Sequence, residues 1–77
     1  MEYISFTTTS DKTGISPQML RYMCNRGYLG HVMRHKGNRV FTPEQVQVLE
    51  LANTYRLKGY KTASALAKAW VVVSTRQ

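Results

Sequence analysis

Four basic side chains surround Gly37 near the middle of the sequence. They are Arg34, His35, Lys36 and Arg39. Lysine and arginine carry a full positive charge and several N–H donors, which suits the anionic acceptor oxygens of a phosphate backbone. Gly37 and the following Asn38 both tolerate the positive φ angles of a tight hairpin turn. The stretch therefore predicts a basic hairpin, here called the wing, whose side chains at Arg34, His35, Lys36, Asn38 and Arg39 lie along a nucleic-acid backbone.

A second group of hydrogen-bonding side chains follows a helical spacing. Ser16 and Pro17 signal a helix start, because the serine hydroxyl caps free backbone N–H groups and proline tolerates the first helical position. Beyond them, polar residues recur every three or four positions, and apolar residues such as Leu20 and Met23 recur on another side. The polar side of this helix predicts contacts with base edges or flanking phosphates. The candidate residues are Ser16, Gln18, Arg21, Tyr22, Asn25 and Arg26.

The turn before this helix has the composition of a helix-turn-helix. Thr8 and Asp11 fit a capping box, which predicts a short first helix that starts at Thr8 and ends at Gly14. A short glycine-containing turn then leads to Ser16, as in helix-turn-helix motifs. Ile15 is predicted to fill the angle between the two helices. Motifs of this kind insert the N-terminal part of their second helix into the major groove, which would bring its polar side to the bases.

Two further helices are predicted after the wing. Thr42, Pro43 and Gln45 combine a cap, a first-turn proline and a capping-box glutamine, and the helix that they start stops at Gly59. Thr62 opens a final alanine-rich helix. The predicted fold is mainly α with one two-stranded β-hairpin, a winged helix-turn-helix in the order helix, turn, helix, wing, helix, helix. Short connections without a linker or repeat predict a single domain over residues 1–77.

The net charge of the chain limits the classes of binding partner that are expected. The 77 residues hold 11 Lys and Arg against 4 Asp and Glu, which gives a formal net charge of +7 and a pI near 10.0. No acidic residue stands between Asp11 and Glu44, the interval that contains the helix and wing candidates. A basic domain of this size predicts a nucleic-acid partner first, and then an anionic membrane surface or an acidic protein. A basic face that serves only solubility is the alternative.

Other chemistries find little support in the sequence. No Gly-rich phosphate loop and no catalytic set with motif support is present, so we expect neither an enzyme nor a cofactor. His31, His35 and Cys24 lack the further ligand and the helical spacing of a metal site, so no metal is expected. Cys24 is the only cysteine and permits no internal disulfide. The N-terminus has no signal-peptide pattern and the longest apolar run is too short to span a bilayer, so we expect no membrane association and a cytoplasmic, nucleoid-associated location.

Several short motifs at fixed distances resemble the N-terminal part of MerR-type regulators. The segment FTTTSDKTGISPQMLRYMCNRGYL is similar to the helix-turn-helix of that family. The matching positions are Thr13-Gly14-Ile15-Ser16, Leu20-Arg21-Tyr22, Gly27 and Leu29. The similarity continues at Gly37-Asn38-Arg39-Val40-Phe41, like the family's wing, and at Arg56-Leu57-Lys58-Gly59-Tyr60, like the end of its third helix. It covers about residues 4 to 70, nearly the whole sequence.

The resemblance implies a winged helix-turn-helix that binds duplex DNA, with the second helix in the major groove and the wing on the backbone. It implies that Arg21 and Arg39 meet phosphates and that Gln18 approaches base edges. One departure falls in the first helix, where Thr9 replaces a core aliphatic residue of the family. Further candidates for contact with the DNA backbone are Lys12, Lys58 and Lys61.

Three functions are compatible with these features: a sequence-preferring transcription regulator, an excisionase of a phage or mobile element that bends DNA for an integrase, and a protein-interaction module with an acidic partner. The sequence ends at Gln77, before the dimerisation helix and effector region of family members that sense metals or drugs. We therefore expect no ligand sensing, a monomer in solution and cooperative self-assembly on DNA. The segment from Trp70 to Val73 either packs on the core or offers an apolar strip to a neighbouring protomer, a recombinase or an RNA polymerase.

Overall fold

The computed structural model describes residues 2–76 of the chain. Over that range the chain forms four α-helices: α1 (Phe6–Thr13), α2 (Pro17–Asn25), α3 (Pro43–Leu57) and α4 (Thr62–Thr75). It also forms three short strands: β1 (Ile4–Ser5), β2 (Met33–His35) and β3 (Asn38–Phe41). The mainly helical winged helix-turn-helix predicted from the sequence is confirmed. Met1 and Gln77, the two ends of the predicted 1–77 domain, lie outside the described residues.

The sheet has one strand more than the sequence predicts. β3 lies in the middle and pairs antiparallel with β2 on one side and with β1 on the other. The predicted two-stranded hairpin is present as β2 and β3. The strand Ile4–Ser5, which pairs with Phe41 and Val40, was not predicted. Two residues are too few to show the period-2 alternation by which a strand is recognised in a sequence. This extra strand ties the N-terminus to the root of the wing.

The same two residues explain a second correction, which concerns the start of α1. Ser5, not Thr8, is the N-cap, and its hydroxyl oxygen accepts from the backbone N–H of Thr8 at 3.1 Å. Thr8 therefore lies inside the helix, and its predicted capping box with Asp11 does not form the start. An N-cap residue has extended backbone angles, so Ser5 can end a strand and begin a helix at once.

The turn between α1 and α2 is fixed by buried hydroxyl groups. Gly14 ends α1 with a φ of 76°, as predicted, and Ile15 is only 2% exposed, as expected for the residue that fills the angle. The hydroxyl of Ser10 donates to the carbonyl of Ile15 at 2.6 Å. The side-chain amide of Asn53 donates to the carbonyl of Thr13 at 3.2 Å, which anchors the turn to α3.

The hairpin turn lies one residue earlier than predicted. Lys36 and Gly37 have the positive φ angles, 53° and 83°, whereas Asn38 already belongs to β3. Two successive residues with positive φ match the two-residue turns whose twist suits a β-hairpin. The consequence is that Lys36, a residue with a side chain, stands at the tip of the wing.

The core joins the wing to the helices. Phe41 is fully buried at the end of β3, and its ring centroid lies 6.2 Å from that of Phe6 on α1. The helix α3 then begins with the predicted capping box of Thr42 and Gln45. α4 begins at Thr62, as predicted, and continues past the alanine-rich segment to Thr75. The indole N–H of Trp70 donates to the carbonyl of Tyr28 at 2.9 Å, so α4 holds the segment that follows α2.

Candidate nucleic-acid interface

The helix α2 presents the predicted polar side to solvent. Leu20 and Met23 are 0% exposed and fix the rotation of the helix against the core. The predicted contact residues are all exposed: Ser16, Gln18, Arg21, Tyr22, Asn25 and Arg26. Ser16 also has a structural task, because its hydroxyl oxygen caps the helix by accepting from the N–H of Met19 at 3.2 Å.

Two of these side chains rest on aromatic rings. The guanidinium carbon of Arg21 lies 5.7 Å from the ring centroid of Phe6, within the range of a cation–π contact. Tyr22 packs edge-on against Tyr28, with ring centroids 6.4 Å apart. Such contacts restrict the rotation of the Arg21 and Tyr22 side chains, so less conformational freedom would be lost if they bound a ligand.

The wing carries its basic side chains outward. Arg34, His35, Lys36 and Asn38 are exposed, and Arg39 is half-buried. Arg34 on β2 stands directly opposite Arg39 on β3. A nitrogen of the Arg34 guanidinium donates to the carbonyl of Gly37 at 3.1 Å, which braces the turn. The sequence prediction of a basic hairpin at this point is confirmed.

A hydrogen bond between two side chains joins the wing to α2. Nη2 of Arg39 donates to Oδ1 of Asn25 at 2.7 Å, a short distance typical of a charge-assisted bond. Asn25 is the last residue of α2, and Arg39 is the second residue of β3. The exposed face of α2 and the basic wing therefore form one continuous surface, here called the basic face.

An open groove of about 370 Å³ lies in this surface. Its walls are Ser5, Phe6, Thr7, Arg21, Asn38 and Arg39. Two guanidinium groups thus line a depression next to the first turn of α1, where backbone N–H groups lack helical partners. Sequence reasoning missed the contribution of residues 5–7, because it started α1 at Thr8. The N-cap chemistry of Ser5 is the one signal that could have revealed it.

Three predicted contact residues lie apart from the groove. Lys12 is in the last turn of α1, and Lys58 and Lys61 flank the short connection between α3 and α4. All three side chains are exposed, and none of them lines the groove. Among the predicted contact residues, the structure therefore brings Arg21, Asn38 and Arg39 together around the groove, and it joins Asn25 to Arg39.

Two ionisable groups of this region have shifted pKa values. Burial raises the pKa of the Cys24 thiol above its usual value, and the charges of Arg39 and Arg34 offset this only in part. The Tyr28 side chain raises the pKa of Arg26, which is charged in any case. Within residues 2–76, no group of three or more His, Cys, Asp or Glu could hold a metal ion.

The fold and the site together define a winged helix-turn-helix protein, a class in which one helix and a basic hairpin share a single face. The chain belongs to the MerR HTH family of regulatory proteins, whose family model matches residues 4–66. This confirms the resemblance seen in the sequence. No helix among the described residues is long and apolar enough to cross a membrane.

A solved structure of a MerR family regulator is similar to this chain. The chain is similar to HiNmlR, a MerR family regulator lacking the sensor domain, in a crystal structure bound to promoter DNA. The two chains share 29% sequence identity with a TM-score of 0.71, over 88% of this chain and 55% of the other. This chain thus spans about half the length of that protein. A search of curated proteins gave no significant match.

Proposed function

We propose that this chain binds duplex DNA with sequence preference and acts as a small transcription regulator. The observation that carries the proposal is the basic face, on which the polar side of α2 and the wing are joined by the bond between Arg39 and Asn25. A helix of this kind fits the major groove, while a basic hairpin beside it reaches the phosphate backbone. Membership of the MerR family, and a solved relative that is bound to promoter DNA, support the same assignment.

The proposal gives the two parts of the face different tasks. Gln18 is exposed in the first turn of α2, the part of such a helix that lies nearest to the bases, and its amide suits a base edge. Arg21 lines the groove and Arg34 and Lys36 stand on the wing, where their charges suit phosphates. Phosphate contacts orient a protein on the duplex, whereas base contacts supply its sequence preference.

Contacts outside the basic face complete the proposed footprint. Lys58 and Lys61 carry exposed charges at the connection between α3 and α4, and Lys12 carries another at the end of α1. We assign them to flanking phosphates, which would add affinity without sequence preference. On this proposal the protein is a DNA-binding factor of the nucleoid and not a catalyst.

The test is a selection of preferred sites from random duplexes, followed by titration of the preferred and the scrambled site at several salt concentrations. We expect tighter binding to the preferred site, with both affinities falling as salt rises. Equal affinity for the two duplexes would contradict a regulator with sequence preference. Strong bending of the bound site in a phasing assay would then favour the excisionase function. An absence of binding at low salt would favour an acidic protein partner.

A further inference from the structure

The bond between Arg39 and Asn25 has a chemical consequence for what Asn25 can offer to a ligand. A guanidinium has five N–H donors and no acceptor, so only the carbonyl oxygen of the amide can face it. Oδ1 of Asn25 is therefore turned towards the wing, at 2.7 Å from Nη2 of Arg39. The amide cannot rotate by half a turn without placing its NH₂ group against a cation. Its two N–H donors are consequently directed away from Arg39.

We propose that Arg39 is a positioning residue, which fixes the Asn25 amide so that Asn25 reads a hydrogen-bond acceptor on a base edge in the major groove. This inference rests on the proposed DNA-binding function and adds a specificity-determining pair to it. An asparagine that reads adenine in the usual bidentate way needs its donor and its acceptor on the same base edge. Asn25 has one lone pair of its acceptor oxygen engaged by the wing, so it favours purine N7, guanine O6 or thymine O4 as partners of its N–H donors. A cytosine edge, which presents an amino donor, is disfavoured.

The surroundings favour a base acceptor over a phosphate as the partner of Asn25. Arg39 itself lies beside it with a full charge and lines the groove together with Arg21. Charged donors bind phosphate oxygens more strongly than a neutral amide does, so these arginines outcompete Asn25 for any nearby phosphate. Asn25 also lies seven residues after Gln18 on the same exposed side of α2, which is about 10 Å along the helix. It would therefore meet a base at the edge of the site, beyond those that the first turn of α2 approaches.

The exposure of Arg39 and Asn25 fits their proposed tasks, in which Arg39 positions the amide and Asn25 contacts the base. Arg39 is half-buried, which restricts its guanidinium, whereas Asn25 is exposed at the end of its helix. Asn25 and Arg39 are 14 residues apart in the chain, so the bond is a tertiary contact between wing and helix. A shift of the wing would therefore change the orientation of the Asn25 side chain at the end of α2.

The test compares Arg39→Met with Asn25→Ala and with a matched control, Arg76→Met. Methionine has no N–H donor in its side chain, so Arg39→Met releases Asn25, while the lost charge weakens binding to every duplex alike and leaves the ratio of affinities unchanged. The control makes the same change at Arg76, which lines a different groove together with Gln47 and Glu50 of α3. Titrations use the preferred site, a scrambled duplex, and a panel in which each base pair of the site is substituted in turn.

We expect Asn25→Ala and Arg39→Met each to lower the affinity ratio of preferred to scrambled duplex about five- to tenfold, the size of one hydrogen bond. The double variant should show no further loss, and Arg76→Met should keep the wild-type ratio. In the panel, the position at which wild type disfavours cytosine should lose its preference in both single variants. Thermal melts of every variant verify that the ratio is measured on folded protein.

Two results would overturn the inference. If Arg39→Met keeps the wild-type ratio while Asn25→Ala loses it, Arg39 does not position Asn25. If Asn25→Ala keeps the ratio, Asn25 reads no base, and an equal loss of affinity on all duplexes would assign it to a phosphate. Failure of the proposed function is distinct, because it appears in the wild type alone, as an absence of duplex binding or of any preference.

Discussion

Arg34 and Arg39 face each other directly across the two strands of the wing. Like charges at such positions repel each other and destabilise a hairpin in the absence of an anion. The arrangement is understandable for a surface that binds phosphate, since a bound anion between two cations removes the repulsion. On the proposed function, binding to DNA would offset the repulsion that the free protein carries.

This relationship predicts the behaviour of Arg34→Thr, which replaces one charge by a residue with good strand propensity. Arg34→Thr also loses the exposed bond to the Gly37 carbonyl, so the repulsion is measured by the dependence on salt. We expect the stability of the variant relative to wild type to be about 0.2–1 kcal/mol higher at low salt than at high salt, and DNA affinity to fall. Denaturant titrations at low and high salt provide the measurement. A stability difference that does not depend on salt would show that the two arginines do not repel each other in the free protein.

A buried hydroxyl in α1 predicts a stabilising substitution. Thr9 is 0% exposed, and its Oγ1 finds no hydrogen-bond partner within residues 2–76. Thr9→Val removes this unpaired group with little change of shape and should stabilise the protein by about 1–2 kcal/mol. Thr13→Val is the matched control, because the Thr13 hydroxyl donates to the carbonyl of Thr9 at 2.7 Å and accepts from the N–H of Ile15 at 3.3 Å. Thermal unfolding should place the two variants on opposite sides of wild type, and equal losses in both would refute the account.

The contact of Trp70 with Tyr28 predicts that the end of α4 has a structural role. Trp70→Phe removes the indole donor and part of the packed volume, so it should cost about 1–2 kcal/mol of stability. Val71→Ala, one residue further along, should change stability by less than about 0.5 kcal/mol because Val71 is 65% exposed. Urea titrations of both variants measure these changes in the free energy of unfolding. If Trp70→Phe leaves stability unchanged, the alternative of an apolar strip for a partner gains support.

Burial of Cys24 predicts low thiol reactivity and a dependence of stability on pH. The raised pKa means that the folded protein holds the thiol proton more tightly than the unfolded chain does. Stability from this group is therefore present below the unfolded pKa and is lost as the pH rises through the raised folded value. Alkylation by iodoacetamide should be slower in the folded protein than in denaturant, and Cys24→Ser should abolish the signal. Equal rates in both states would contradict the burial of the thiol.

Local chemistry made much of this fold predictable from the sequence. Ser16 and Thr42 cap their helices as predicted, because capping depends on residues within one helical turn. The turn glycine Gly14 and the core residue Ile15 were predictable for the same reason. The failed prediction at Thr8 shows the limit of this reasoning, since Ser5 offers an equally good cap and only its pairing in the sheet decides between them.

Contacts between distant residues account for what the sequence did not reveal. The pairing of β1 with β3, the anchoring of the turn by Asn53, and the bond from Arg39 to Asn25 each join separate segments. The pattern of residue types along the chain predicts that a polar side chain is exposed, but it does not identify the hydrogen-bond partner of that side chain. The sequence thus predicted the residues of the basic face but not how the wing is held against α2.

The division of tasks on the basic face is tested most directly by Gln18→Ala and Lys36→Gln, titrated against preferred and scrambled duplexes across a range of salt. Lys36, at the tip of the wing, should contribute charge alone, so Lys36→Gln should weaken binding to both duplexes alike and reduce the salt slope by about 1. Gln18→Ala should cost about 1–3 kcal/mol on the preferred site and little on the scrambled one, with an unchanged slope. If Lys36→Gln alters neither affinity nor slope, and Gln18→Ala affects both duplexes equally, the basic face does not bind DNA with its wing on the backbone and α2 on the bases.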